Sequence, residues 1–112
     1  MIQSQELRLG NLLLQYGQEE VLVHKIGTES VNDRPLAEFS PIPLTTEWLE
    51  KFGFDKKFDS YWKGAYSNGN SWDFIIQNEI GGVFVFKFTK IQYVHELQNL
   101  FFCLTGEELE VK

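Results

Sequence analysis

YVHELQNLFFCLTGEEL, Tyr93 to Leu109, is the stretch on which the fold turns. At about 100° per residue, Val94, Leu97, Leu100, Phe101 and Leu104 fall within roughly 120° of arc, the stripe of a helix lying on a sheet. Gly106 supplies a stop. The other side carries His95, Glu96, Gln98 and Asn99, the polar residues expected of an outward face. Phe102 projects among His95, Gln98 and Asn99 and breaks the pattern. The spacing therefore predicts a helix near 93–105 and requires an apolar surface to receive it.

That surface lies just upstream. In VFVFKF, Phe84, Phe86 and Phe88 alternate with Val83, Val85 and Lys87, so one strand face is wholly aromatic and must be covered. Residues 58–88 read as a three-stranded meander. Asn68-Gly69, between FDSYWKGAYS and SWDFIIQ, suits a type I′ turn, whose two central residues need positive φ. The next reversal is expected around Asn78 to Gly82.

Further upstream, PIPLTTEWLEKFGF (Pro41 to Phe54) spells a short helix near 45–52. Thr45 is placed as N-cap, Glu47 sits in the first turn, and Leu44 and Leu49 take the staple positions. Gly53 is placed just past the end, with Phe54 over Leu49 as in a Schellman stop. The N-terminal third reads as β. Two apolar runs, Leu7 to Leu14 and Val21 to Ile26, flank the polar loop Tyr16-Gly17-Gln18-Glu19-Glu20. Gly10-Asn11 suggests a bend in the first run. A third strand is expected around Leu36 to Phe39, after the turn Asn32-Asp33-Arg34-Pro35.

The expected fold is α+β: one domain over 1–112, with a small bent antiparallel sheet, SH3-like in its N-terminal half, and one short and one longer helix packed on it. A chain of 112 residues can bury roughly 65% of its unfolded surface, enough for one core. Its 43% hydrophobic and 15% aromatic content is far from that of a disordered chain. Cys103 is the only cysteine, so no disulfide forms within the chain. The opening MIQSQELRLG lacks the pattern of a secretory signal, and no apolar run reaches bilayer length, so a soluble cytoplasmic protein without membrane contact is expected.

The net charge of −6 disfavours a nucleic-acid partner. Its distribution is uneven: residues 51–90 carry six basic and four acidic side chains, against three and eight in residues 1–50. Within that middle, KKFDSYWKGAYSNGNSW (Lys56 to Trp72) interleaves Lys56, Lys57 and Lys63 with Phe58, Tyr61, Trp62, Tyr66 and Trp72. This is the composition of a single-strand nucleic-acid platform, in which rings stack on bases and cations follow the backbone. The bland reading is one core face plus a few exposed rings.

No catalytic, cofactor or metal constellation is legible. His95 and Glu96 are adjacent and point about 100° apart on a helix, and His24 is the only other histidine. Cys103 has no nearby base and is expected as a packed small hydrophobe. The nucleophile-elbow, P-loop and dinucleotide fingerprints are absent.

Three motifs, LRLGN at Leu7 to Asn11, PIPLTTEWLEKFGF and IQYVHELQNLFFCLTGEEL at Ile91 to Leu109, resemble a family of small uncharacterised proteins from Bacteroidetes genomes, phages and mobile elements. Its members carry LRIGN, PIPLTEEWL and YVHQLQNLYFALTGEEL in the same order, whereas residues 55–90 have no such counterpart. The resemblance implies a compact bacterial or phage protein and no activity or cofactor. The functional expectation is a non-enzymatic protein-interaction module that docks on a partner protein or on itself. Its candidate surface is Tyr61, Trp62, Lys63, Tyr66, Trp72, His95, Gln98, Asn99 and Phe102. The alternatives are a single-strand nucleic-acid binder and an inhibitor of a host defence or nucleic-acid enzyme.

Overall fold

The structure, a computed structural model, describes residues 3–58, 60–67, 69–79, 83–87 and 89–111. It is an α+β fold with two hydrophobic clusters sharing one strand. That strand, β1 (Leu12–Gln15), pairs antiparallel with β2 (Glu19–Leu22) and, on its other edge, with β5 (Phe39–Ser40). Its three leucines do not alternate with polar residues because both of its faces are covered. Leu13 is fully buried with Leu7, Val23, Val31 and Phe39 in the smaller cluster, while Leu12 and Leu14 pack against the larger one.

The N-terminal strands differ in detail from expectation. The first run becomes strand only from Leu12, because Gly10 takes φ +93° and turns the chain. Glu19 and Glu20 belong to β2, leaving Tyr16-Gly17-Gln18 as the hairpin loop. Asn32 and Asp33, both at positive φ, join β3 (Ser30–Val31) to β4 (Arg34–Pro35). Leu36–Glu38, read as strand, is a 3₁₀ turn leading into β5. An isolated bridge between Ile26 and Val31 ties the chain after β2 to β3. The N-terminal strands thus form two separate antiparallel sheets, β2–β1–β5 and β3–β4.

Helix α1 (Thr46–Lys51) forms where the sequence placed it. Thr45 Oγ1 accepts from the Trp48 N–H, and Gly53 sits at φ +85°. The Phe54 N–H donates to the Leu49 carbonyl and the Gly53 N–H to the Glu50 carbonyl, the two bonds of a Schellman stop.

The meander is larger than expected. It is a five-stranded antiparallel sheet in the order β10–β9–β8–β7–β6, formed by β6 (Asp55–Lys57), β7 (Ser60–Ser67), β8 (Asn70–Glu79), β9 (Val83–Phe86) and β10 (Thr89–Ile91). Pairing of Ser67 with Asn70 makes the β7–β8 connection a two-residue loop with Gly69 at φ +79°. Asn68, the reversal at Ile80 to Gly82, and Phe88 lie outside the described residues. The core face of this sheet holds Tyr61, Ala65, Phe74, Ile76 and Phe84. Phe86 stacks on Phe74 at 4.5 Å between ring centroids.

Helix α2 (Val94–Thr105) covers that face. Val94, Leu97 and Phe101 are buried in the larger cluster, and the Phe101 ring meets Phe74 edge-on at 5.2 Å. Glu96 Oε1 accepts from the Gln92 and Tyr93 N–H groups, satisfying donors that a helix start leaves open. Leu104, at the end of the stripe, is exposed. No described helix is long and apolar enough to cross a membrane.

Candidate functional site

The polar side of α2 does not face water. His95 and Gln98 are buried, and Asn99 is half-buried, because this side packs on the segment preceding β1. The reason lies in the backbone of LRLGN. Buried peptide groups need partners, and here side chains about 90 residues away supply them. Gln98 Oε1 accepts from the Leu12 N–H at 2.9 Å, and its amide nitrogen donates to the Gly10 carbonyl at 3.1 Å. Asn99 donates to the Glu6 carbonyl, while its Oδ1 accepts from the Asn11 amide at 2.8 Å. Asn11, fully buried, also accepts from the Arg8 N–H at 2.7 Å.

Arg8 completes this junction. Its guanidinium forks onto the Glu108 carboxylate, donates to the Gln98 carbonyl, and lies 4.0 Å from the centre of the Phe102 ring. Phe102, the residue that breaks the helical pattern, is covered on one side by a cation from the opposite end of the sequence. The same arginine ties down the segment after α2, where Leu109 is buried in the larger cluster.

His95 Nε2 lies 3.4 Å from Glu6 Oε1, and its ring stacks on Tyr93. A histidine and an acid are thus within reach of each other. His95 is only 1% exposed and lines neither of the two cavities described below. His24 is exposed, and no described group of three or more His, Cys, Asp or Glu side chains could hold a metal. Cys103 is exposed, contrary to the packed role expected of it. Both buried sides of α2 are filled by other residues, which leaves the thiol on the remaining one.

The aromatic stretch is also used internally. Tyr61 is buried in the core, and Trp72 packs against it from the same face. Lys63 donates to the Phe52 carbonyl at the end of α1, at 3.0 Å. Lys57 lies 4.9 Å from the centre of the half-buried Trp62 ring. The Tyr66 side chain lies outside the described part of the structure. Of the nine residues expected to form one surface, Tyr61, His95 and Gln98 are therefore interior, and Asn99 and Phe102 bind the LRLGN segment.

Two cavities are formed among the described residues. One, of about 440 Å³, is an open depression lined by Gly64, Ala65, Ser71, Trp72, Asp73 and Glu107. The other, of about 410 Å³, is mostly apolar and lies beside the Arg8–Glu108 junction. Gly10, Leu12, Leu22 and Gln98 form one side of it, and Glu108, Leu109, Glu110 and Val111 form the other. Leu22 is 56% exposed and Val111 51%. Sequence reasoning missed this groove because its walls come from opposite ends of the chain. The signal available was Leu22, an apolar residue on the short strand that also holds Glu19, Glu20 and Val21.

Compared with known proteins, the chain matches no family model, no curated protein and no solved structure.

Proposed function

We propose that the protein is a non-enzymatic interaction module of a bacterium, phage or mobile element, working in the cytoplasm and binding a protein partner through the groove between β2 and the C-terminal segment. One observation carries the reading. The polar side chains that could do chemistry are engaged in holding α2 to LRLGN, while Leu22 and Val111 leave apolar surface in water at the rim of a concave site. The resemblance of LRLGN and of the α2 sequence to one family fits this reading, since both motifs contribute to the groove.

Single-strand nucleic-acid binding has less support, because Tyr61 is in the core and Lys63 is bound to a carbonyl. Inhibition of a host enzyme would be one use of the same groove. The test combines light scattering with capture from bacterial lysate, using the wild-type chain and Leu22→Asp. A partner or self-association lost on Leu22→Asp supports the reading. A strict monomer that retains nothing refutes it.

A further inference from the structure

The C-terminal segment is attached by side chains alone. Strand β1 is hydrogen-bonded along both edges, whereas among the described residues no backbone group of residues 108–111 takes part in a hydrogen bond. Gly106, left-handed at φ +73°, turns the chain out of α2, and Thr105 Oγ1 accepts from the Glu107 N–H just beyond it. From there two side chains make the attachment. Leu109 is 4% exposed in the larger cluster, and the Glu108 carboxylate meets the Arg8 guanidinium in an ion pair partly open to water. Glu107, Glu110 and Val111 are exposed. A segment held at two points and unpaired along its backbone belongs to the part of a fold that opens first.

The seat outlasts its occupant. Arg8 is held independently by the Gln98 carbonyl and against the Phe102 ring, so its cation stays in place when Glu108 leaves. Lifting residues 107–111 also joins the seat of Leu109 to the apolar groove beside Leu12 and Leu22. One continuous site results, apolar along its floor with a fixed arginine at one end. We infer that residues 107–111 are a displaceable strap, and that a partner protein replaces it with an extended segment carrying an acid immediately before a leucine. The inference rests on the proposed reading of the groove and names the chemistry of its partner. That chemistry is set by the pair already seated, Glu108-Leu109, and by the Arg8 charge, which an incoming acid must meet once Glu108 has gone. The strap is favoured by its tether. A partner overcomes that advantage by covering the groove as well, where Leu22 is left 56% exposed beside the strap.

A peptide of residues 105–112, titrated into the isotope-labelled full chain and followed by amide NMR, tests this. Two variants release the strap. Leu109→Asp withdraws its anchor, and Glu108→Lys, at a side chain 40% exposed, sets a cation against Arg8. Amide dispersion shows whether each variant is folded, and Glu108→Lys carries the test alone if Leu109→Asp is not. The peptide is expected to move the Arg8, Leu12 and Leu22 amides of the variants. It should bind the wild type, whose tethered strap competes, on the order of tenfold more weakly. The same peptide with Leu109→Asp or Glu108→Lys is expected to bind none of them. The inference is overturned if the variants bind the peptide no better than the wild type does, if the altered peptides bind as well as the native one, or if those three amides do not move. Leu22-dependent capture of a partner by the wild-type chain would then leave the groove's role standing, and its loss would remove that role too.

Discussion

Gln98 is the side chain that most directly links the two ends of the chain. It meets the Leu12 N–H and the Gly10 carbonyl from within a buried position, so Gln98→Ala leaves two backbone groups unpaired. Urea denaturation should record a loss of about 2 to 3 kcal/mol. His95→Phe should cost less, about 1 kcal/mol, because it removes one 3.4 Å contact to a glutamate that water can still reach. A second residue-scale effect depends on pH. Hydrogen bonds from Arg34 hold the Glu38 carboxyl below its ordinary value near 4.5, and partial burial acts in the opposite sense. A depressed folded-state value means that the contribution is fully present above the ordinary carboxylate range and is lost as pH falls through the folded value. Stability measured against pH should therefore fall more steeply below about pH 4.5 in the wild type than in Glu38→Gln.

At the level of elements, α1 was the most legible part of the chain because everything that defines it lies within a dozen residues. Gly53 at φ +85° carries the Schellman stop, and Gly53→Ala should destabilise the protein by about 1 kcal/mol in urea melts. Thr45→Ala should cost less, about 0.5 kcal/mol, since the cap bond is long at 3.4 Å. The extent of α2 was equally readable, but its polar side was misjudged. Helical periodicity separates apolar from polar residues and does not distinguish water from a buried peptide group as the partner. Gln98 and Asn99 meet peptide groups, and their partners lie about 90 residues upstream. β6 escaped notice for another reason. Its residues Asp55, Lys56 and Lys57 are all exposed, and charged residues on an edge strand oppose sheet-to-sheet pairing without leaving an apolar pattern.

At the scale of the whole molecule, two hydrophobic clusters are held together by β1 and by the junction of α2 with LRLGN. Trp48, Trp62 and Trp72 all belong to the half of the chain that builds the larger cluster, so tryptophan fluorescence reports mainly on that part. Far-UV circular dichroism reports on both. In the wild type the two denaturation curves should coincide, as for one cooperative unit. In Gln98→Ala the dichroism curve should begin to fall first, as the smaller cluster opens ahead of the larger. Composition and patterning announced an α+β chain with an aromatic sheet under a helix. They did not announce the groove, which exists only once Leu12 and Leu22 have met Leu109 and Val111 in space.

Leu12, Leu13 and Leu14 being identical has a final consequence for β1. Normally the alternation of apolar and polar residues tells a strand which residue to place opposite which. Three leucines in succession give no such instruction, because sliding the strand by one position would still offer leucine to both cores. The frame is set instead by the Tyr16-Gly17-Gln18 turn on one side and, on the other, by Gln98, whose two bonds recognise one particular peptide N–H and one particular carbonyl. A turn and a helix amide thus keep the strand's reading frame where hydrophobicity alone would leave it ambiguous.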